Sequence, residues 1–119
     1  MSKRILVVED DEDSRRILRD LLASGDYQML EAEDGKQGIA VAEAQRPDLI
    51  LMDIQLPLVD GYEATRHIKA NPKLRSIPII VVTSQADGEA KARAAGCDDY
   101  FAKPYSPRQL LAKIKEQLL

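Results

Sequence analysis

The stretch Ile5-Leu6-Val7-Val8-Glu9-Asp10 places four consecutive apolar residues directly before two carboxylates. An unbroken apolar run of this length is typical of a strand that is covered on both faces in the middle of a parallel sheet. The run Leu49-Ile50-Leu51-Met52 repeats the arrangement, because Asp53 follows it directly. The two stretches therefore predict buried strands with acidic side chains at their carboxyl ends.

On either side of these stretches, short apolar runs alternate with segments of helical periodicity. The predicted strands are residues 5–8, 27–32, 49–52, 79–82 and 100–102, and the predicted helices are residues 14–23, 35–44, 60–69 and 89–95, with a last helix that opens at Ser106-Pro107. Strict alternation predicts an α/β fold with a parallel five-stranded sheet and helices on both faces. Among the few arrangements that right-handed crossovers allow, the flavodoxin-like, doubly wound (βα)5 order 2-1-3-4-5 fits best.

The composition is that of one ordinary globular domain. The 119 residues suit a single domain, residues 1–119, without an output domain beside it, and 45% of them are hydrophobic. A net charge of −3 argues against nucleic acid as a partner, because binding to a phosphate backbone favours a basic surface. No apolar run approaches the ~20 residues that cross a bilayer. No cleavable leader follows Met1, and the single cysteine, Cys97, suits a reducing compartment. We therefore expect a cytoplasmic protein that binds neither nucleic acid nor membrane.

Polar side chains follow four of the predicted strands at their carboxyl ends. Glu9 and Asp10 follow the first strand, Asp53 the third, Thr83 the fourth and Lys103 the fifth. In a doubly wound sheet, ligands bind at this edge, where the winding reverses. A cluster of carboxylates repels itself unless a hard divalent cation lies among its oxygens, and Mg²⁺ prefers such ligands together with a phosphate oxygen. The edge is therefore predicted to be a Mg²⁺ site that leaves room for a phosphoryl group.

The other side chains at this edge suit phosphoryl transfer. Lys103 supplies a positive charge and Thr83 a hydroxyl donor, which together with Mg²⁺ would neutralise the oxygens of a phosphoryl group during in-line transfer. Asp53 lies nearest the centre of the edge and is the predicted acceptor. Asp11 and Asp13 lie close by in the sequence, and either is interpreted more simply as the cap of the first helix than as a metal ligand.

In their order, these residues resemble the receiver domain of two-component signalling over the whole chain. The resemblance is carried by Glu9-Asp10, Asp53, Leu56-Pro57, Asp60-Gly61, Thr83-Ser84 and Lys103-Pro104. Residues 94–100 and 103–107 resemble, in particular, the stand-alone DivK-like regulators. Each motif alone is weak, whereas the whole set in this order and at strand ends is specific.

The resemblance implies a metal site around one acceptor. Asp53 matches the phosphoacceptor, Asp10 matches the direct metal ligand, and Glu9 matches the residue that holds a metal-bound water. The backbone carbonyl of Gln55 matches a further metal ligand. The implied cofactor is therefore Mg²⁺, held by these four residues.

Other matching positions belong, in this family, to residues that respond to the phosphoryl group. Thr83 and Lys103 match the two residues that sense phosphate, and Tyr100 matches an aromatic switch. Pro104 matches a proline that follows a cis peptide bond, a geometry that costs little before proline.

A receiver domain implies a signal relay rather than a metabolic enzyme. The expected donor is a sensor histidine kinase or a phosphotransfer protein, and self-catalysed phosphotransfer and autodephosphorylation are the only expected chemistry. The phosphorylated form would contact a downstream protein through the surface of the fourth helix, fifth strand and fifth helix. Two alternatives stay open. One is a phosphate-independent binding module of the same fold, and the other is an aspartate-based phosphatase, which would need a second Asp where Gln55 stands.

One segment departs from the family pattern. Between Thr83 and Lys103 the chain is about two residues shorter than this pattern, and the missing length falls within residues 85–88. A helix of about two turns has little stability of its own. We therefore expect the fourth helix to be short or frayed at its start, and the segment around it to be mobile.

Overall fold

A computed structural model describes residues 2–84 and 88–119 of the chain. Along these residues, strands and helices alternate in the order β1 Arg4–Val8, α1 Glu12–Ser24, β2 Gln28–Ala32, α2 Gly35–Gln45, β3 Leu49–Met52, α3 Gly61–Ala70, β4 Ile79–Thr83, α4 Gly88–Ala95, β5 Asp99–Ala102 and α5 Pro107–Gln117. All strands of the sheet run parallel, in the order β2-β1-β3-β4-β5. The predicted fold class and strand order are confirmed. Of the helices within these two ranges, none has the length and apolar composition needed to cross a membrane.

The burial of each strand follows from its place in the sheet. Every residue of β3 and β4 is buried, and β1 is buried beyond Arg4, whereas the edge strands β2 and β5 are partly exposed. Alternate residues of β1 point to opposite faces of the sheet. Leu6 and Val8 pack in the cluster that includes α2, α3 and α4, while Ile5 and Val7 pack in the cluster with α1 and α5. The sheet is thus covered on both faces, as the apolar runs predict.

Side-chain caps determine where the helices begin. Asp11 accepts the Ser14 N–H at 3.0 Å, so α1 begins two residues earlier than predicted. This contact confirms that Asp11 caps the first helix. Asp60 and Ser106 cap α3 and α5 as predicted, each by accepting the backbone N–H three residues further on.

The fourth helix, α4, has eight residues and ends before Gly96, whose φ of +103° suits a residue without a side chain. Its length agrees with the predicted two turns. Residues 85–87, to which the prediction of a shortened and mobile segment chiefly refers, lie outside the described residues. The mobility of that segment therefore stays a prediction.

Replacing Thr65 with Val is expected to stabilise the protein. The Thr65 hydroxyl is buried on α3 and has no hydrogen-bond partner among the residues that the structure describes. An unpaired buried polar group is unfavourable, and valine has nearly the same shape, so we expect the free energy of unfolding to rise by about 1 kcal/mol. Urea denaturation measures this change, with Thr65→Ser as the control that keeps the hydroxyl. A lower stability for Thr65→Val would mean that the hydroxyl forms a favourable interaction in solution.

Candidate functional site

Three carboxylates converge at the carboxyl ends of β1 and β3. Val8 and Met52 are paired in the sheet, so the residues that follow them are neighbours, and the Asp53 N–H donates to the Val8 carbonyl at 3.0 Å. One carboxylate oxygen from each of Glu9, Asp10 and Asp53 lies within 4.8 Å of the other two. The structure thus brings together the three acids that the sequence analysis singles out.

A lysine from the end of β5 reaches the same cluster. The Nζ atom of Lys103 lies 3.5 Å from a carboxylate oxygen of Asp53 and 3.6 Å from one of Glu9. The Lys103 N–H donates to the Thr83 carbonyl at 2.9 Å, and the Lys103–Pro104 peptide bond is cis, as predicted. The hydrogen bond to Thr83 positions the backbone of Lys103 at the end of β4, from where its side chain reaches the carboxylate of Asp53.

Glu9 has a strongly raised pKa because its side chain is almost fully buried. Only 4% of Glu9 is exposed. Burial, together with the hydrogen bond to Asp53 and the charge of Asp53, raises the pKa of Glu9 to about 8, although the charge of Lys103 acts in the opposite direction. In the metal-free protein Glu9 is therefore mostly protonated at neutral pH.

The donor atoms of the cluster suit a hard divalent cation. All are carboxylate oxygens, which Mg²⁺ prefers, and a cation would offset the repulsion among them. Asp10 is exposed, so the cluster is open to solvent and to a second reactant. Gln55 and Asp10 line the same cleft, which has a volume of about 580 Å³. The loop that carries the Gln55 carbonyl therefore borders the cluster.

The affinity for Mg²⁺ is expected to rise with pH between about pH 6 and pH 8 and to level off above that range. A divalent cation favours the ionised form of the carboxylates around it, whereas burial and Asp53 raise the pKa of Glu9 from 4.5 to about 8 in the metal-free protein. Below pH 8, binding has to displace a proton, so affinity falls by up to about tenfold for each pH unit. Isothermal titration calorimetry over this range measures the effect.

The matched variant for this titration is Glu9→Gln, which has no proton to lose. It should bind Mg²⁺ more weakly than the wild type at high pH and show little dependence on pH. A steep profile in Glu9→Gln, equal to that of the wild type, would assign the proton to another group.

The loop between β3 and α3 is held by close backbone contacts at two glycines. A methyl group on Gly61 would lie 2.0 Å from the carbonyl oxygen of Asp53, and one on Gly35 would lie 1.9 Å from that of Val59. Both approaches require a residue without a side chain. At the end of the loop, Gly61 packs against Asp53, the residue that begins the loop. Val59, two residues earlier, packs against Gly35 at the start of α2. These two contacts fix the backbone around Asp53.

The two residues that the resemblance links to switching lie on neighbouring strands. Thr83 ends β4 and is 1% exposed, whereas Tyr100 lies on β5, pairs with Val81 and packs partly buried against the core. Thr83 stands at the carboxyl end of its strand, as predicted, whereas Tyr100 lies near the start of β5. Their roles stay predictions.

Arg15 also supports the site, and the sequence analysis missed it. It is only 5% exposed, and it donates to the Glu9 carbonyl at 2.8 Å. Its guanidinium also pairs with Glu31 at 3.2 Å, with Glu33 at 3.5 Å and with Glu12. The arginine thus fixes the backbone of the cluster and is itself neutralised by acids. The signal in the sequence was a cation on the same face of α1 as the buried leucines.

Comparison with known proteins finds relatives along nearly the whole chain. The profile of the family described as response regulator receiver domain matches residues 5–115. The chain is 40% identical to the polar-differentiation response regulator DivK of Brucella anthropi, over 99% of this chain and 98% of that protein. At this identity and coverage, the relationship concerns the whole domain.

Solved structures with the same arrangement include two that bear on the site and the fold. The receiver domain of the sensor histidine kinase PA1611 from Pseudomonas aeruginosa, described with a magnesium ion coordinated in its active site cleft, matches with a TM-score of 0.92 and 37% identity over 99% of this chain and 98% of that chain. The chemotaxis response regulator CheY4 of Vibrio cholerae matches with a TM-score of 0.92 and 24% identity over 99% of this chain and 100% of that chain. The second likeness concerns the fold alone.

Proposed function

Because this chain belongs to the family of response regulator receiver domains, we propose that it accepts a phosphoryl group on Asp53 and acts as a response regulator. The donor is a histidine kinase or a phosphotransfer protein, and the transfer requires Mg²⁺. The observation that carries the proposal is the convergence of Glu9, Asp10 and Lys103 on one partly buried aspartate.

In this proposal the carboxylate of Asp53 attacks phosphorus, and two contacts that orient the carboxylate support this role. The Ile54 N–H donates to its Oδ1 atom at 2.7 Å, while its Oδ2 atom faces Lys103 at 3.5 Å. A carboxylate oxygen forms a bond to phosphorus as the P–N bond of the donor's phosphohistidine breaks. The imidazole leaves with the electron pair and takes a proton from solvent. The ammonium group of Lys103 stabilises the charge on the phosphoryl oxygens during the transfer.

The acids around Asp53 fit the cation that this transfer needs. Asp10, Asp53 and the carbonyl of Gln55 would bind Mg²⁺ directly, and Glu9 would hold a water bound to it. When bound, Mg²⁺ neutralises both the carboxylates and the oxygens of the phosphoryl group. Support comes from the three carboxylates within 4.8 Å of one another and from the magnesium ion described for the related PA1611 receiver domain.

The phosphorylated form signals to a downstream protein through the surface of α4, β5 and α5. Asp99 on β5 pairs with Arg93 of α4 at 3.6 Å and with Lys113 of α5 at 3.2 Å. In this proposal Thr83 moves toward the phosphoryl group, and Tyr100 packs into the space that Thr83 leaves. Because Asp99 ties both helices to the strand of Tyr100, a shift of β5 changes the whole surface. A partner that prefers the changed surface selects the phosphorylated form.

Two other functions would use the same fold. An aspartate-based phosphatase needs a general acid two residues after its nucleophile, and the amide of Gln55 at that position cannot supply the proton. We therefore propose no enzymatic activity beyond self-catalysed phosphotransfer and autodephosphorylation. A phosphate-independent binding module would need neither Mg²⁺ nor an ionised Asp53.

Phosphoramidate tests the proposed function without a protein donor, because its P–N bond resembles that of phosphohistidine. With Mg²⁺, the intact mass should show one phosphoryl group on each chain, and a chelator should prevent the modification. If the mass stays unchanged while a known receiver domain is phosphorylated under the same conditions, the chain is a phosphate-independent module instead.

A further inference from the structure

Leu58, in the loop between β3 and α3, combines two unfavourable features. Its side chain is 80% exposed, and its backbone φ of +69° lies in the left-handed region, where glycine and asparagine are favoured over leucine. A single exposed leucine is ordinary on a protein surface. An exposed leucine at a position that favours another residue gains nothing within the domain, which indicates a use outside it.

We propose that Leu58 is a specificity-determining contact with the protein that donates the phosphoryl group. The proposal rests on the proposed function, in which a second protein brings its phosphohistidine to Asp53. Leu58 takes no part in the chemistry. It determines how well the donor protein docks.

The closed loop places Leu58 close to the acceptor. The Gly61 N–H donates to the Ile54 carbonyl at 3.0 Å, and Gly61 packs on the carbonyl of Asp53, so the two ends of the loop meet. Leu58 precedes Gly61 by three residues. Since consecutive Cα atoms are ~3.8 Å apart, the Cα atom of Leu58 lies within about 11 Å of that of Gly61.

A protein donor has to cover this part of the surface. The side chain of Asp53 is only 12% exposed, so the phosphohistidine has to enter at the carboxyl edge of the sheet. A standard interface buries about 800 Å² on each partner, which corresponds to a disc with a radius of roughly 16 Å. A disc of that size centred on Asp53 includes Leu58.

The distribution of exposed apolar side chains also indicates docking around Asp53. Apart from the last residue, Leu119, the exposed large hydrophobic residues within 2–84 and 88–119 are Ile17 and Leu58. Ile17 lines the cleft that reaches Asp53, and Leu58 follows the exposed Pro57 in the loop that Asp53 begins. Both exposed apolar side chains therefore flank the acceptor, where a donor protein would bury them.

The test is the variant Leu58→Gly, which should raise the thermal stability of the protein and slow phosphoryl transfer from a protein donor. Glycine relieves the left-handed backbone, so the melting temperature should rise by roughly 3–6 °C. The probe is an autophosphorylated histidine kinase fragment, chosen beforehand as the one that phosphorylates the wild type fastest. Transfer from this fragment should slow by about tenfold or more, whereas phosphorylation by phosphoramidate, which is too small to reach from Asp53 to the side chain of Leu58, should proceed at the wild-type rate.

Two control variants separate docking from other effects. Leu58→Met keeps an apolar side chain and should keep fast transfer from the kinase fragment. Leu119→Gly removes an exposed leucine far from Asp53. Leu119 lies at the opposite edge of the sheet, since α5 begins at the carboxyl edge and runs away from it. This variant should also leave transfer unchanged.

Three results would overturn the proposal. Unchanged transfer from the kinase fragment to Leu58→Gly would remove the docking role. Slower phosphorylation by both donors with a lower melting temperature would show that Leu58 is a structural residue. Failure of phosphoramidate to phosphorylate the wild type would reject the proposed function itself, and the docking role with it.

Discussion

Replacing Asp53 with Asn is expected to abolish phosphorylation while leaving the fold intact. The amide has nearly the shape of the carboxylate, but it is a poor nucleophile and lacks the charge that attracts Mg²⁺. We expect a loss of about 10³-fold or more in the rate of phosphorylation. The metal-free variant should melt no lower than the wild type, because Asp53 is one of the groups that disfavour ionisation of Glu9. Intact mass after incubation with phosphoramidate and circular dichroism on heating measure the two effects.

Asp13→Asn is the matched control for this variant. Asp13 is exposed on the first turn of α1 and pairs with Arg16 at 3.3 Å. The variant therefore loses the same negative charge as Asp53→Asn, but outside the carboxylate cluster. The control should be phosphorylated like the wild type. If Asp53→Asn also accepted the phosphoryl group with full stoichiometry, the acceptor would lie elsewhere, and Asp10 would be the next candidate.

Adding one methyl group at Gly61 is expected to damage both the fold and the metal site. The Cβ atom of Gly61→Ala would lie 2.0 Å from the carbonyl oxygen of Asp53 and 2.8 Å from the Cα atom of Ile54. Both contacts are with backbone, so the loop has to move as a whole. We expect the free energy of unfolding to fall by about 2–3 kcal/mol and the affinity for Mg²⁺ to fall about tenfold or more, because a shift of the loop displaces the ligands around Asp53.

Urea denaturation and calorimetric titration with Mg²⁺ measure the two losses. Gly25→Ala is the control, since its methyl group would meet the ring edge of Tyr27 at 3.0 Å, a side-chain contact far along the chain from the cluster. It should affect stability slightly and affinity for Mg²⁺ not at all. Wild-type affinity in Gly61→Ala would mean that the loop position does not control the site.

The strand ends are the part of the site that the sequence predicts well. An unbroken apolar run identifies a central strand, and the residue after it lies at the carboxyl edge whatever the details of packing. Glu9, Asp10 and Asp53 are placed in this way, and the structure brings them within 4.8 Å of one another. The caps at Asp60 and Ser106 are likewise local, because each depends on residues only three apart.

The supporting contacts could not be predicted, because they join residues far apart in the chain. The approach of Gly35 to the Val59 carbonyl depends on how α2 packs beside the loop after β3. Arg15 lies on a helix whose apolar face predicts only burial, and its partner Glu31 lies on β2. The φ of Leu58 is determined by closure of its loop. Side-chain periodicity carries no information on such distances.

Locating the phosphoryl group in the wild-type protein tests the proposed function most directly. The protein is incubated with phosphoramidate and Mg²⁺, the acyl phosphate is trapped by borohydride reduction, and the digested peptides are sequenced by mass spectrometry. We expect the reduced residue at position 53 alone, and no reduced residue in a sample prepared without Mg²⁺. Modification at another residue, or equal modification of Asp53 without Mg²⁺, would contradict the role of the three-carboxylate cluster as a magnesium-dependent phosphoacceptor site.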